Sequence, residues 1–117
     1  MEKIILASES PRRKEYFALL GLAYETIGSN IDENTDRSLP PDDLVEDLAF
    51  RKACAVFKNH RNRVVIGFDT VVYANDEILG KPTNREDAKR MLKILSDNVH
   101  RVYTGVSIIT EKTSVTF

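Results

Sequence analysis

Short apolar runs alternate with amphipathic stretches along the whole chain. The runs predict strands at residues 4–7, 23–28, 64–73, 78–79, 99–109 and 113–117. The amphipathic stretches predict helices at residues 11–20, at residues 40–59 and after Asn84. The resulting order, β-α-β-α-β-β-α-β-β, predicts an α/β fold with a mixed sheet and flanking helices in a single domain over residues 1–117.

The run at residues 64–73 is predicted to be the central strand. It is apolar and β-branched almost throughout, which is typical of a strand covered on both faces. Asp69 lies in its middle, and a buried carboxylate needs a hydrogen-bond donor, a cation or a metal. Strand alternation places Gly67 on the same face, so we expect open space beside the carboxylate. A metal with a phosphate chain fits that space, and an Asp that caps a nearby loop is the simpler alternative.

Two arginines begin the first predicted helix. Ser10 and Pro11 are typical residues for the N-cap and the first helical position, which places Arg12 and Arg13 in the first turn. Cations there oppose the helix dipole at a cost of about 0.3–1 kcal/mol, whereas an anion is favoured at the same place. We therefore predict a phosphate site, because arginine binds phosphate through two parallel hydrogen bonds. The alternative is that both arginines point into solvent.

Lys52 lies in the middle of the apolar arc of the second predicted helix. The other residues of that arc are apolar: Leu44, Val45, Leu48, Ala49, Ala53, Val56 and Phe57. A lysine in this position either extends to the edge of the apolar surface or points its ammonium into a cleft. We predict the second arrangement, which requires an anionic partner.

The loop at residues 29–36 is acidic and includes Glu33. Its carboxylates are suitable ligands for a hard cation such as Mg²⁺. Its spacing does not match a twelve-residue calcium loop, and a solvated acidic loop is the alternative.

Composition narrows the function classes. The chain has 117 residues, 42% of them hydrophobic, and a formal net charge of -1, so no overall charge attracts nucleic acid or a membrane. Its one cysteine, Cys54, excludes an internal disulfide and a multi-cysteine zinc site, and we interpret it as a packing residue. No signal peptide or membrane-spanning run is apparent, which predicts a cytoplasmic protein.

Five motifs appear together and in order. They are Ser8-Glu9-Ser10-Pro11-Arg12-Arg13, Arg51-Lys52-Ala53, Gly67-Phe68-Asp69-Thr70-Val71-Val72, Gly80-Lys81-Pro82 and His100-Arg101-Val102-Tyr103-Thr104-Gly105-Val106. In combination they closely resemble the Maf family of nucleoside triphosphate pyrophosphatases over residues 5–117. The resemblance implies a fold like that of inosine triphosphate pyrophosphatases, with a central cleft. It also implies that this chain is the N-terminal portion of that fold, because family members continue beyond Phe117.

The resemblance implies hydrolysis of a nucleoside triphosphate to the monophosphate and pyrophosphate with a divalent metal, Mg²⁺ or Mn²⁺. Asp69 matches the catalytic acid that accepts a proton from the attacking water, and with Glu33 it would hold the metal. The phosphates would be held by polar and basic residues: Ser8, Arg12, Arg13, Lys52 and Lys81.

The same resemblance suggests the substrate. Arg12 together with Thr70 matches the family branch that acts on dTTP and UTP, so Thr70 joins the predicted substrate-binding residues. A sister branch with an aromatic residue in place of Arg12 acts on 7-methyl-GTP. Phe68 departs from the family, which usually has alanine there, and we expect it to face away from Asp69.

Two other functions stay open from sequence. A phosphorelay receiver domain shares a strand-borne Asp and a Lys-Pro pair, although Ala7-Ser8 stands where a receiver has an acidic pair. A truncated, non-catalytic remnant would bind nucleotide without cleaving it. The resemblance makes this a second alternative, because family members continue beyond Phe117 and a glutamine that helps select the base lies in that part. The sequence leaves both a monomer and a homodimer open.

Overall fold

The computed structural model describes residues 3–7, 19, 21, 23–29, 31, 39–79, 83–97 and 99–117. Within them lie six strands and two helices: β1 Ile4–Ala7, β2 Tyr24–Thr26, α1 Pro41–Phe57, β3 Val65–Ala74, β4 Glu77–Leu79, α2 Arg85–Asp97, β5 His100–Ile109 and β6 Ser114–Thr116. The predicted α/β class and the order of these elements are confirmed. The first predicted helix, at residues 11–20, lies outside the described residues except for Leu19.

The strands form one mixed sheet in the order β2-β1-β3-β5-β6, with β4 also paired to β3. β1 is parallel to β2 and β3, whereas β4 and β5 are antiparallel to β3. Because β5 pairs with β3 along its whole length, β1 and β4 must share the other edge of β3. β1 stops at Ala7, level with Gly67, and β4 runs back along β3 to Leu79, level with Val72. Two strand ends therefore face each other across residues 68–71.

A tight hairpin joins β3 to β4, as the sequence predicts. Asn75 and Asp76 form its two-residue loop with φ angles of 53° and 57°. Two successive left-handed residues are the geometry of a type I′ turn, whose twist matches that of the paired strands. This turn directs β4 back toward the middle of β3.

α1 packs its apolar arc against one face of the sheet. Every predicted member of the arc is buried except Phe57, which is partly buried. Burial of each large side chain contributes about 1.5–3 kcal/mol, so this face holds the main core. On the opposite face of β3, Phe68 is half-buried and Thr70 is exposed. β3 is thus covered less completely on that second face than the sequence predicts.

α2 is fixed at its first turn. Asn84 accepts a hydrogen bond from the backbone N–H of Asp87 at 2.8 Å, which confirms the predicted N-cap. Arg90 donates to Glu77 of β4 at 2.8 Å and so ties the helix to the hairpin. The apolar side of the helix is only partly covered, and Leu92 is 67% exposed. Neither helix in the described ranges is long and apolar enough to cross a membrane.

Candidate active site

An ion pair between Lys52 and Asp69 lies between α1 and β3. The Nζ of Lys52 is 2.9 Å from the Oδ1 of Asp69 and 3.4 Å from the carbonyl oxygen of Phe68. The two side chains are only 14% and 11% exposed. The neighbouring Arg51–Asp47 pair on α1 spans 3.7 Å and is 35% and 45% exposed. Lys52 therefore points inward and has the anionic partner that its place in the apolar arc requires.

Close packing of α1 on the sheet brings the two charges together. A Cβ atom at Gly67 would overlap the carbonyl oxygen of Ala49 and lie 3.0 Å from the Cβ of Ala53. A Cβ atom at Gly105 would overlap the backbone of Val45. The helix backbone thus rests directly on two glycines of the sheet.

This packing overturns one expectation from sequence. The strand pattern predicts open space beside Asp69 at Gly67 for a metal and a phosphate chain, whereas the backbone of α1 fills that space. The absence of a side chain is used for helix packing because an interior at native density leaves no void of that size. Any ligand must approach Asp69 from another side.

The ends of β1 and β4 leave a side from which a ligand can approach Asp69. The chain leaves β1 at Ala7 and β4 at Leu79, on either side of residues 68–71. The motifs with the predicted phosphate-binding residues follow these two ends directly in sequence. Their side chains, and the predicted metal ligand in the acidic loop, lie outside the described residues: Ser8, Arg12, Arg13, Lys81 and Glu33.

Thr70 lies on the face of β3 opposite Asp69. Its hydroxyl oxygen is 3.0 Å from that of Thr104, its cross-strand partner on β5, and the side chain is exposed. The structure therefore brings Lys52 and Asp69 together, and it does not place the Thr70 side chain beside them. Its role in substrate selection stays a prediction.

Gly105 belongs to the site, and the sequence reasoning did not identify it. It is the cross-strand partner of Asp69 and lies under Val45 of α1. A glycine inside a strand weakens the strand and often marks a close backbone approach. That signal was present in the motif Thr104-Gly105-Val106, where the flanking residues are β-branched.

Cys54 is a packing residue, as predicted. It is partly buried against the core cluster beneath α1. Burial raises the pKa of its thiol, so little thiolate forms at neutral pH.

The carboxylate of Asp69 is a suitable oxygen ligand for Mg²⁺ or Mn²⁺. Within the part of the chain that the structure describes, no three His, Cys, Asp or Glu side chains come together to hold a metal ion. Asp69 therefore suits one position in the coordination sphere of such a cation. The other ligands would have to come from residues outside the described ranges, such as the predicted Glu33.

The family model "Maf-like protein" matches residues 3–117. The chain belongs to the Maf family. Among curated relatives, it is 50% identical to a Bacillus mycoides protein, 49% to one from Bacillus anthracis and 47% to one from Bacillus cereus. Each of these relatives is named dTTP/UTP pyrophosphatase, and each match covers the whole of this chain. The chain spans 61% of the length of these Maf relatives.

A solved structure, the Ham1 protein of Staphylococcus aureus, shares the fold. It superposes with a TM-score of 0.64, covering 99% of this chain and 68% of the other, at 17% identity. At that identity the likeness concerns the fold alone. It agrees with the fold that the Maf resemblance implied.

Proposed function

We propose that this Maf protein hydrolyses nucleoside triphosphates, chiefly dTTP and UTP, to the nucleoside monophosphate and pyrophosphate. The observation that carries the proposal is the buried Lys52–Asp69 pair, which lies beside the two strand ends that lead into the phosphate-binding motifs. The name dTTP/UTP pyrophosphatase, shared by relatives about 50% identical, supports the choice of substrates. Arg12 and Thr70 support it as well, because they match that branch of the family.

In the proposed reaction, Asp69 accepts a proton from the attacking water and Lys52 binds the triphosphate. Phosphoryl transfer depends on positioning and charge neutralisation more than on covalent chemistry. A carboxylate and an ammonium 2.9 Å apart place a proton acceptor and a phosphate ligand within reach of one water and one phosphoryl group. The remaining phosphate ligands are those that the motifs supply: Ser8, Arg12, Arg13 and Lys81.

A divalent cation completes the proposal. Asp69, together with Glu33, would hold Mg²⁺ or Mn²⁺, which would lower the pKa of a bound water and offset phosphate charge. Asp69 would then share its carboxylate between the cation and the proton that it accepts. Lys52 would donate to a phosphate oxygen from its place beside Asp69, because an ammonium has three N–H donors.

The test is pyrophosphate release from dTTP, UTP, CTP, GTP and 7-methyl-GTP with Mg²⁺ or Mn²⁺. It is run on this chain and on one extended past Phe117. We expect release from dTTP and UTP, and its loss in Asp69→Asn while nucleotide binding persists. The matched control is Asp47→Asn, which removes an exposed carboxylate of α1. Equal turnover by Asp69→Asn and the parent protein would refute the catalytic role.

A second function is binding of nucleotide without cleavage. It concerns a chain of these 117 residues alone, which spans 61% of the length of its dTTP/UTP pyrophosphatase relatives. This second function predicts that calorimetry detects heat when dTTP binds to the chain, while no pyrophosphate is released. Release by the 117-residue chain itself would exclude it.

A cytoplasmic location remains a prediction, as does the absence of nucleic-acid and membrane partners, and both a monomer and a homodimer stay open. Light scattering behind gel filtration distinguishes a monomer from a dimer at working concentration. A mass near 13.3 kDa would exclude the homodimer.

A further inference from the structure

We infer that Gly67 and Gly105 are positioning residues for the proposed reaction: they set the distance from α1 to the sheet that places Lys52 on Asp69. The inference rests on the proposed function for its catalytic consequence, and on the geometry alone for its structural part. Nothing in the resemblance or in the relatives' names assigns these glycines a role.

The registers place both glycines around Asp69 on one face of the sheet. Gly67 precedes Asp69 by two residues on β3, and Gly105 is its cross-strand partner on β5. Ser107, the partner of Gly67, is fully buried on the same face. On this side Asp69 is thus bordered by residues with small side chains or none, whereas the core residue Val71 borders its other side. The helix can therefore approach closely over the two glycines.

The backbone of α1 packs against both glycines. Its backbone at Val45 and Glu46 lies over Gly105, where a Cβ would be 2.7 Å from the N of Glu46. One turn further, Ala49 and Ala53 lie over Gly67. Both contacts involve helix backbone, so an added methyl group cannot be accommodated by a rotamer change. The helix would have to move away from the sheet.

Lys52 lies beside the second contact, one residue before Ala53. The 2.9 Å distance to Asp69 is therefore set by a rigid backbone contact and less by the flexibility of the lysine stem. A shift of about 1 Å away from the sheet lengthens this contact beyond a normal charged hydrogen bond. In an active site, a displacement of that size can cost about 10²-fold in rate.

The structural test is a double-mutant cycle of Lys52→Met and Asp69→Asn, measured by urea unfolding. It is run in the parent chain and in Gly105→Ala. We expect the two changes to be coupled in the parent by about tenfold or more in the unfolding constant. We expect them to become additive in Gly105→Ala. Persistent coupling in folded Gly105→Ala would overturn the inference.

The functional test is pyrophosphate release from dTTP. Gly105→Ala is expected to lower kcat/KM by about 10²-fold. The control is Leu6→Ala, which removes a fully buried side chain on the other face of the sheet and is expected to keep the parent kcat/KM at a temperature where both variants are folded. An unchanged kcat/KM in Gly105→Ala, or an equal loss in Leu6→Ala, would overturn the positioning role.

Two outcomes need a second arm. If Gly105→Ala does not fold, Ala53→Ser replaces it, because the Cβ of Ala53 lies against Gly67 and an added oxygen is expected to press the helix away from the sheet there. Loss of the coupling in Ala53→Ser supports the inference, and unchanged coupling overturns it. If the parent protein itself releases no pyrophosphate, the proposed function fails, and the unfolding cycle still decides whether the glycines position the pair.

Discussion

Replacement of Lys52 by Met tests the buried pair directly. Removal of one partner from a buried ion pair typically costs about 3–5 kcal/mol, because the other charge stays in a poorly solvated place. Lys52 and Asp69 keep 14% and 11% of their side-chain exposure, so we take the low end, about 3 kcal/mol. With a urea slope of about 1.5 kcal/mol/M, the unfolding midpoint should fall by about 2 M.

The measurement is urea unfolding at pH 7, followed by circular dichroism. Arg51→Met is the matched control, since the neighbouring Arg51–Asp47 pair is exposed and is worth about 0.3–0.5 kcal/mol. Adding Asp69→Asn to Lys52→Met should recover part of the loss, because it removes the isolated charge. The reasoning is refuted if Lys52→Met shifts the midpoint no more than Arg51→Met.

Three further predictions concern the periphery of the fold. Asp76→Gly should stabilise the protein by up to about 1 kcal/mol in thermal unfolding. Asp76 has φ 57°, in the left-handed region that a residue with a Cβ atom enters at a cost and glycine does not. A loss of stability would contradict this. The N–H of Thr83 and the guanidinium of Arg90 hold the pKa of Asp87 below its usual value. The ionised carboxylate of Asp87 therefore stabilises the fold above about pH 4, and this stabilisation is lost as pH falls through the pKa of Asp87 in the folded protein. The stability gap between the parent and Asp87→Asn should therefore close in acid, and a gap independent of pH would exclude this linkage. Cys54 should react with iodoacetamide more slowly than glutathione at pH 8, since burial raises its thiol pKa; equal rates would argue against burial.

Much of the local structure followed from the sequence. The Asn75-Asp76 turn, the N-cap at Asn84 and the buried arc of α1 were predicted correctly because each depends on residues within one or two turns of the chain. The inward direction of Lys52 followed from the same helical periodicity. The family resemblance supplied the fold, which the structure confirms. It also supplied the predicted substrate class and the predicted roles of residues that no local pattern identifies.

Other features required the tertiary structure. Periodicity shows that Lys52 faces inward, but only the packing of α1 across β3 identifies Asp69 as its partner, 17 residues away in sequence. The same packing fills the space at Gly67 that the strand pattern alone suggested was open, and it makes Gly105 part of the site.

The physical reason lies in the range of the interactions. Turns, caps and amphipathic faces are set by contacts between near neighbours in sequence. Strand register and the distance between a helix and a sheet are set by close packing of segments far apart in the chain. The sequence by itself therefore determined which residues face the core, and the tertiary structure decided which charges meet there and where a ligand can approach.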